Sequence, residues 1–353
     1  MKILLPYKKL NNVSIYSDDV TGGIEIFTKR ILENLGHDII VVEYTSEEAK
    51  RRLVVPRILE AVEKFSPDII VANFATKTYT SNIADAIGIP IMWIFHSLGD
   101  TVQSITFAKE FESFRSKGHS IYMVSEYQLD TWRGMAKRNN ISDCLAVDGF
   151  IDSAFNVFDD SYSKEKVFDV CTISRPTKGK DGYLMNRKYS KLKTDAPKTI
   201  LVTSKPTKNQ DSEYVEFSLN CGKFIDVREN ISRSETIDIL KKSKVYVSTS
   251  FRETWGITTL EALSYGIPVL ACVDSKGNGP IHGIPASDDH YDTFRKTDNI
   301  DSILEKIEKL TNISDEKRSE IMESNREKHS KHTWCKKFNI CLEKTIEKFK
   351  GTS

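Results

Sequence analysis

Short apolar runs and amphipathic stretches alternate along almost the whole chain. The runs at residues 3–7, 38–44, 68–74, 91–96, 121–125 and 144–147 are rich in Ile and Val, which predicts strands buried on both faces. Between them, residues 23–35 and 57–65 carry apolar positions at helical spacing. Residues 152–166, DSAFNVFDDSYSKEK, are polar and acidic and predict a linker. The alternation then restarts, with strands expected at 167–173, 199–203, 224–227, 245–248 and 269–273. Two successive βαβα blocks predict two doubly wound α/β domains facing across a cleft, residues 1–155 and 166–330. Residues 331–353 predict a final helix with Trp334, Phe338, Cys341 and Phe349 on its apolar face.

Composition narrows the class of protein. A chain of 353 residues with 39% apolar content is long enough for two such domains. A net charge of +1 does not mark the whole molecule as a polyanion binder. The six cysteines (Cys144, Cys171, Cys221, Cys272, Cys335, Cys341) form no C-x-x-C pair and read as reduced thiols. The opening MKILLPYKKL is too short an apolar run for a secretion signal, and no stretch reaches membrane-span length. A cytoplasmic protein without a transmembrane segment is expected. His329 and His332 lie i, i+3 on a helix, but no carboxylate or cysteine completes a metal site.

In doubly wound folds ligands bind at the carboxyl ends of strands, so strand-to-helix turns are where chemistry is expected. The clearest is SFRETWGITTLEALSYGIP, residues 250–268. Glu253 and Glu261 bracket a turn and the start of a helix, and Gly266 closes that helix. Gly256 admits a ligand close to the backbone, and the free amides of Gly256, Ile257 and Thr258 suit a phosphate. A second cluster, SRPTKGKDGYLM, places Arg175 and Lys180 five apart after the first strand of the second domain, with Lys178 as a rival for the second cation. In the first domain, Gly22 and Gly23 open a helix, and His96 ends an apolar strand.

Together these motifs resemble retaining glycosyltransferases of the GT-B type, specifically glycosyltransferase family 4 with its E-x7-E signature. The resemblance runs through nearly the whole chain, from DDVTGGIEIFTKRILENLGHDIIVV through VSEYQLDTW and VDGFID to the final helix. It implies two Rossmann-like domains, an acceptor-side one followed by one that binds the nucleotide sugar. It also implies that the last helix crosses back to the first domain. Glu253 is then expected at the sugar hydroxyls and Glu261 at the ribose. Arg175, Lys180 and the amides of Gly256, Ile257 and Thr258 are expected at the diphosphate, and Gly22, Gly23 and His96 at the transferred sugar. Where the family usually has glycine after the lysine, this chain has Asp181.

The expected reaction moves a sugar, with retention, from a nucleoside-diphosphate sugar such as a UDP-sugar to an acceptor hydroxyl. No metal or other cofactor is required, because cations and a helix end carry the phosphate charge. Same-face attack is expected, and a double displacement with Glu253 as nucleophile is the alternative. Base contacts are expected near residues 227–231. The acceptor is a glycan, a lipid or a small molecule. Ten Lys/Arg against two acids in residues 175–208, with WRGMAKR at 132–138, read either as a solvated basic face or as a polyanion surface. The second reading corresponds to a phage-type DNA glycosyltransferase acting on hydroxymethylated cytosine in duplex DNA. A GT-B epimerase or phosphorylase, or a non-catalytic binding module, are the readings outside transfer chemistry.

Overall fold

A computed structural model describes residues 1–9, 13–17, 23–50, 53–73, 87–96, 111–138, 147–152, 163–250, 256–273 and 290–352. The chain divides into two compact units, Met1–Phe155 with Lys331–Ser353, and Asn156–Ser330. Each contains one parallel sheet.

The first sheet comprises β1 (Lys2–Lys8), β2 (Asp38–Tyr44), β3 (Ile69–Ala72), β4 (Ile91–Phe95), β5 (Ser120–Met123) and β6 (Gly149–Phe150), in the order β2-β1-β3-β4-β5-β6. Alternate residues serve opposite faces. Trp93 and Phe95 join Phe111, Phe114 and Trp132 on one side. Met92 and Ile94 join Phe27, Trp334 and Phe338 on the other. The final helix, Lys331–Thr352, buries Trp334, Phe338, Cys341 and Leu342 within this unit. Trp334 Nε1 donates to the Asp152 carbonyl at 2.8 Å, which fixes the start of that helix beside the end of β6.

The expected strand at 144–147 falls mostly outside the described residues. Val147 is not in a strand, residues 144–146 lie outside the described residues, and β6 pairs with β5 as Tyr122↔Gly149 and Met123↔Phe150. Asp148 leads into this pairing, since its carboxylate accepts from the Ile121 amide at 2.8 Å and its own amide donates to the Ile121 carbonyl at 2.9 Å.

The second sheet comprises β7 (Phe168–Ile173), β8 (Thr199–Thr203), β9 (Asp226–Glu229), β10 (Ser243–Ser248), β11 (Val269–Val273) and β12 (Tyr291–Arg295), in the order β12-β11-β10-β7-β8-β9. This is the doubly wound order of a dinucleotide-binding fold. Val170, Val245, Val247 and Leu270 fill one face; Cys171, Tyr246, Val269 and Ala271 fill the other. The strand expected at 224–227 sits two residues later, because the Phe224 amide is taken by the Asn186 side chain at 2.9 Å and pairing begins at Ile200↔Asp226. β12 was not anticipated and pairs along its whole length with β11. Among the described cysteines, Cys171, Cys221, Cys272, Cys335 and Cys341 are free thiols.

Candidate functional site

The strand order of the second sheet reverses at β7, which has β8 on one side and β10 on the other. Crevices open off the carboxyl ends of strands at such points. The segments leaving β7 and β10 therefore emerge side by side, and both carry the expected phosphate-binding groups. Arg175 and Lys180 follow β7, and Gly256 follows β10. Thr249 Oγ1 ties the two segments together by donating to the Lys180 carbonyl at 3.0 Å. The loop itself is wound tightly, since the amides of Lys180 and Asp181 both reach the Thr177 carbonyl, at 3.2 and 2.8 Å. Lys180 is half-buried, whereas Arg175 and Lys178 are exposed.

Gly256 has φ +76°, the left-handed conformation that glycine takes without cost, and caps the helix Ile257–Ser264 without a side-chain bond. The first internal bonds of that helix come from Thr259 and Leu260, at 3.0 and 3.2 Å to the Gly256 carbonyl. The amides of Gly256, Ile257 and Thr258 thus precede the helix's own ladder, as an anion site requires. The far end closes in a Schellman motif: Ile267 N–H donates to the Ala262 carbonyl at 2.9 Å and Gly266 N–H to Leu263 at 3.0 Å. Residues Thr259 to Ser264 are buried, so packing fixes the helix axis.

Glu261 lies one turn into this helix and is 8% exposed. Its Oε1 accepts from Arg233 Nη2. Arg233 opens the helix Arg233–Lys241, whose start is held by a Ser232–Glu235 capping box. The guanidinium gives a buried carboxylate a counter-charge, without which burial would cost several kcal/mol on the order usual for interior ions. Sequence reasoning missed Arg233. It lies 28 positions from Glu261, and nothing in its local sequence announces the pairing. Glu253 lies outside the described residues.

Asp181, the departure from the family's glycine, has φ +53°. The backbone there is in the left-handed region that glycine favours and that Asp tolerates better than most residues. Its carboxylate is buried and accepts from Arg187 at 2.5 Å, Tyr214 Oη at 2.7 Å and Lys296 at 2.7 Å. Burial pushes its pKa up, but the bonds from Lys296, Arg187 and Tyr214 hold it below the ordinary carboxylate range. The side chain thus anchors the loop that carries Arg175 and Lys180 to three neighbouring segments.

In the first unit, Gly22 lies outside the described residues, and Gly23 begins the helix Gly23–Asn34. His96 follows β4 and is half-buried. Its Nε2 bonds Asn73 Oδ1 at the end of β3. Asn73 Nδ2 donates in turn to Thr28 Oγ1 at 2.5 Å and to the Ile24 carbonyl at 3.5 Å. The Phe27 ring stands edge-on to the imidazole at 5.2 Å. Desolvation lowers the His96 pKa to about 3, so the ring is neutral at ordinary pH.

The basic stretch at 175–208 is not a uniform face. Arg187 is spent on Asp181, Lys188 donates to the Asp298 carbonyl, and Lys198 lies over the Phe168 ring at 5.3 Å. Lys191, Lys193, Lys205 and Lys208 are exposed. Of the expected base-contact region, Asn230 turns the chain at φ +54° and its Oδ1 accepts from the Lys205 amide at 3.2 Å. Among the described residues no group of His, Cys, Asp and Glu is placed to hold a metal ion, and no helix is long and apolar enough to cross a membrane.

Residues 161–329 match the family model of glycosyl transferases group 1, so the second unit carries a domain of that kind. The whole chain has the GT-B fold of two Rossmann-like domains. HepE from Anabaena, in complex with UDP-glucose, is 15% identical with a TM-score of 0.69, covering 97% of this chain and 99% of HepE. Sucrose-phosphate synthase from Thermosynechococcus elongatus is 14% identical with a TM-score of 0.69, covering 97% and 98%. The catalytic domain of starch synthase IV from Arabidopsis thaliana, bound to ADP and acarbose, is 13% identical with a TM-score of 0.63, covering 98% and 99%. No curated protein matches this chain.

Proposed function

We propose that this protein is a retaining glycosyltransferase that takes its sugar from a nucleoside-diphosphate sugar, with UDP as the nucleotide. One observation carries the reading. At the switch point of the second sheet, the Thr249–Lys180 bond ties the Arg175–Lys180 loop to the end of β10, the strand that precedes the uncapped helix start at Gly256, and a carboxylate follows one turn on. Two cations and a row of amides match the two charged phosphates of such a donor. The same groups stabilise the charge that grows on the departing diphosphate, and no metal is needed for that task. Glu261, held by Arg233, accepts from the ribose hydroxyls, and Glu253 from the sugar. Gly22, Gly23 and His96 serve the transferred sugar. The choice of UDP follows HepE, which was solved with UDP-glucose, although starch synthase IV was solved with ADP.

The acceptor is a hydroxyl on a glycan, lipid or small molecule, and the activity is placed in the cytoplasm. With three of the ten basic residues of 175–208 engaged within the fold, the solvated-face reading of that stretch is preferred over a DNA track. The test is incubation with UDP- and ADP-sugars, with and without hydroxymethylcytosine duplex DNA. Release of UDP with retained anomeric configuration in the product supports the proposal. Release from none of the sugar nucleotides overturns it, and mass gain on the DNA replaces the acceptor class. Glu253→Ala is predicted to lower kcat by about 100-fold or more, since it removes a contact made to the reacting sugar, while the Kd for UDP changes less than about threefold. Equal loss in both would move Glu253 to the nucleotide.

A further inference from the structure

His96 has two ring nitrogens, and which of them carries the proton decides what the ring can recognise. The surrounding bonds settle this. The Ile24 carbonyl can only accept, so the side of Asn73 that faces it is the Nδ2 amide. Thr28 Oγ1 donates its own hydrogen to the same carbonyl at 2.8 Å, and therefore accepts from Asn73 Nδ2 at 2.5 Å. Two independent acceptors thus orient the Asn73 amide. Its Oδ1 is left facing His96, and an amide oxygen has no hydrogen to give. The hydrogen between them belongs to His96 Nε2. The partner is a neutral amide, and among the described residues no carboxylate bonds the ring, so nothing there favours an imidazolium. Nδ1 keeps its lone pair and makes no hydrogen bond within the described residues. Asn73 is 1% exposed and Thr28 also 1%, so this chain is set by packing and does not rearrange with solvent.

We propose that Asn73 is a positioning residue that locks His96 as the Nε2–H tautomer, so that Nδ1 meets the donor sugar as a hydrogen-bond acceptor and selects a hydroxyl-bearing sugar over a uronic acid. This rests on the reading that His96 serves the transferred sugar. A sugar hydroxyl can donate to a bare Nδ1. A carboxylate at the same place has no hydrogen to offer and sets lone pair against lone pair, leaving its charge desolvated. Nothing in the local sequence of Asn73 marks this role; it follows from the convergence of β3, β4 and the helix Gly23–Asn34.

The test has a spectroscopic arm and a kinetic arm, both on the full chain. Long-range 1H–15N spectra of the wild type should show His96 with Nε2 protonated and Nδ1 bare. Asn73→Ala should mix the two tautomers, and Asn73→Asp should bring a carboxylate to Nε2 and favour the imidazolium. Should Asn73→Ala fail to fold, Thr28→Val removes only one anchor of the amide and should shift the tautomer balance in the same direction. In turnover, the wild type should favour a neutral UDP-hexose over the corresponding UDP-uronate by about tenfold or more in kcat/KM, and Asn73→Asp should narrow that ratio by about tenfold, on the scale of one hydrogen bond. The Kd for UDP alone should stay unchanged. A wild-type spectrum with Nδ1 protonated, or a His96 spectrum untouched by Asn73→Ala and Thr28→Val, overturns the lock. A lock that behaves as expected while His96→Gln leaves every donor's turnover unchanged overturns the selectivity and, with it, the placement of His96 at the sugar.

Discussion

At the residue scale, the site is built from charges that are kept inside the fold and made harmless by partners. Arg233 answers Glu261, and Arg187, Tyr214 and Lys296 answer Asp181. The Arg233–Glu261 pair orients the carboxylate that the proposal gives to the ribose. Arg233→Ala is therefore predicted to weaken UDP binding by about tenfold, corresponding to about 1.4 kcal/mol. It should also erase the preference for UDP over 2′-deoxy-UDP, which calorimetric titration of both nucleotides measures. An unchanged preference would mean that Glu261 faces something other than the ribose. His96 makes a separate prediction. Its folded pKa of about 3 lies below the ordinary 6.5, so between those values the unfolded chain binds a proton that the folded chain does not. Stability from this group is complete above pH 6.5 and is lost as pH falls toward 3. Denaturant titrations should show a fall across that window that is smaller in His96→Gln, whereas parallel curves would contradict a desolvated imidazole. Neither Arg233 nor Asn73 was legible in the sequence. Each acts on a residue more than twenty positions away through a contact that only the fold creates. Glu261, Arg175, Lys180 and His96 stood out because their motifs resemble those of glycosyltransferases and fall at or after strand ends.

At the scale of elements, legibility followed burial. β8 and β11 have the bounds expected from their apolar runs, because a strand covered on both faces leaves an unbroken apolar signature; β2 also has the expected bounds, although it is a half-buried edge strand. β9, with the sequence DVRE, is a mostly exposed edge strand and carries no such signature. β12, YDTFR, lies at the other edge with only Tyr291 and Phe294 buried, so it carries no apolar run. The helix Ile257–Ser264 was legible at both ends, since glycines mark its start and its stop. Gly266 has φ +66°, and a Cβ there would stand 2.6 Å from the Arg318 carbonyl oxygen. Gly266→Ala is predicted to destabilise the protein by about 2–4 kcal/mol, combining left-handed strain with backbone overlap. The effect is read as a lowered midpoint in urea at an unchanged slope. A change under about 0.5 kcal/mol would show that the Schellman turn relaxes without cost.

At the scale of the whole molecule, two parallel sheets were legible from the alternation alone, and residues 161–329 match the family model of glycosyl transferases group 1. Under the proposed function the first unit meets an acceptor, for which the sequence offers no fixed set of groups, so fewer of its site residues are legible. On the proposed reading the second unit holds a nucleoside diphosphate between Arg175, Lys180 and the helix start at Gly256. Calorimetric titration of UDP into the wild type, Arg175→Ala and Lys180→Ala tests it most directly. One UDP should bind per chain, with each substitution weakening binding by about tenfold or more, as loss of a charge-assisted contact to phosphate requires. UDP binding that both substitutions leave intact, or no binding of UDP or ADP at millimolar concentration, would contradict it.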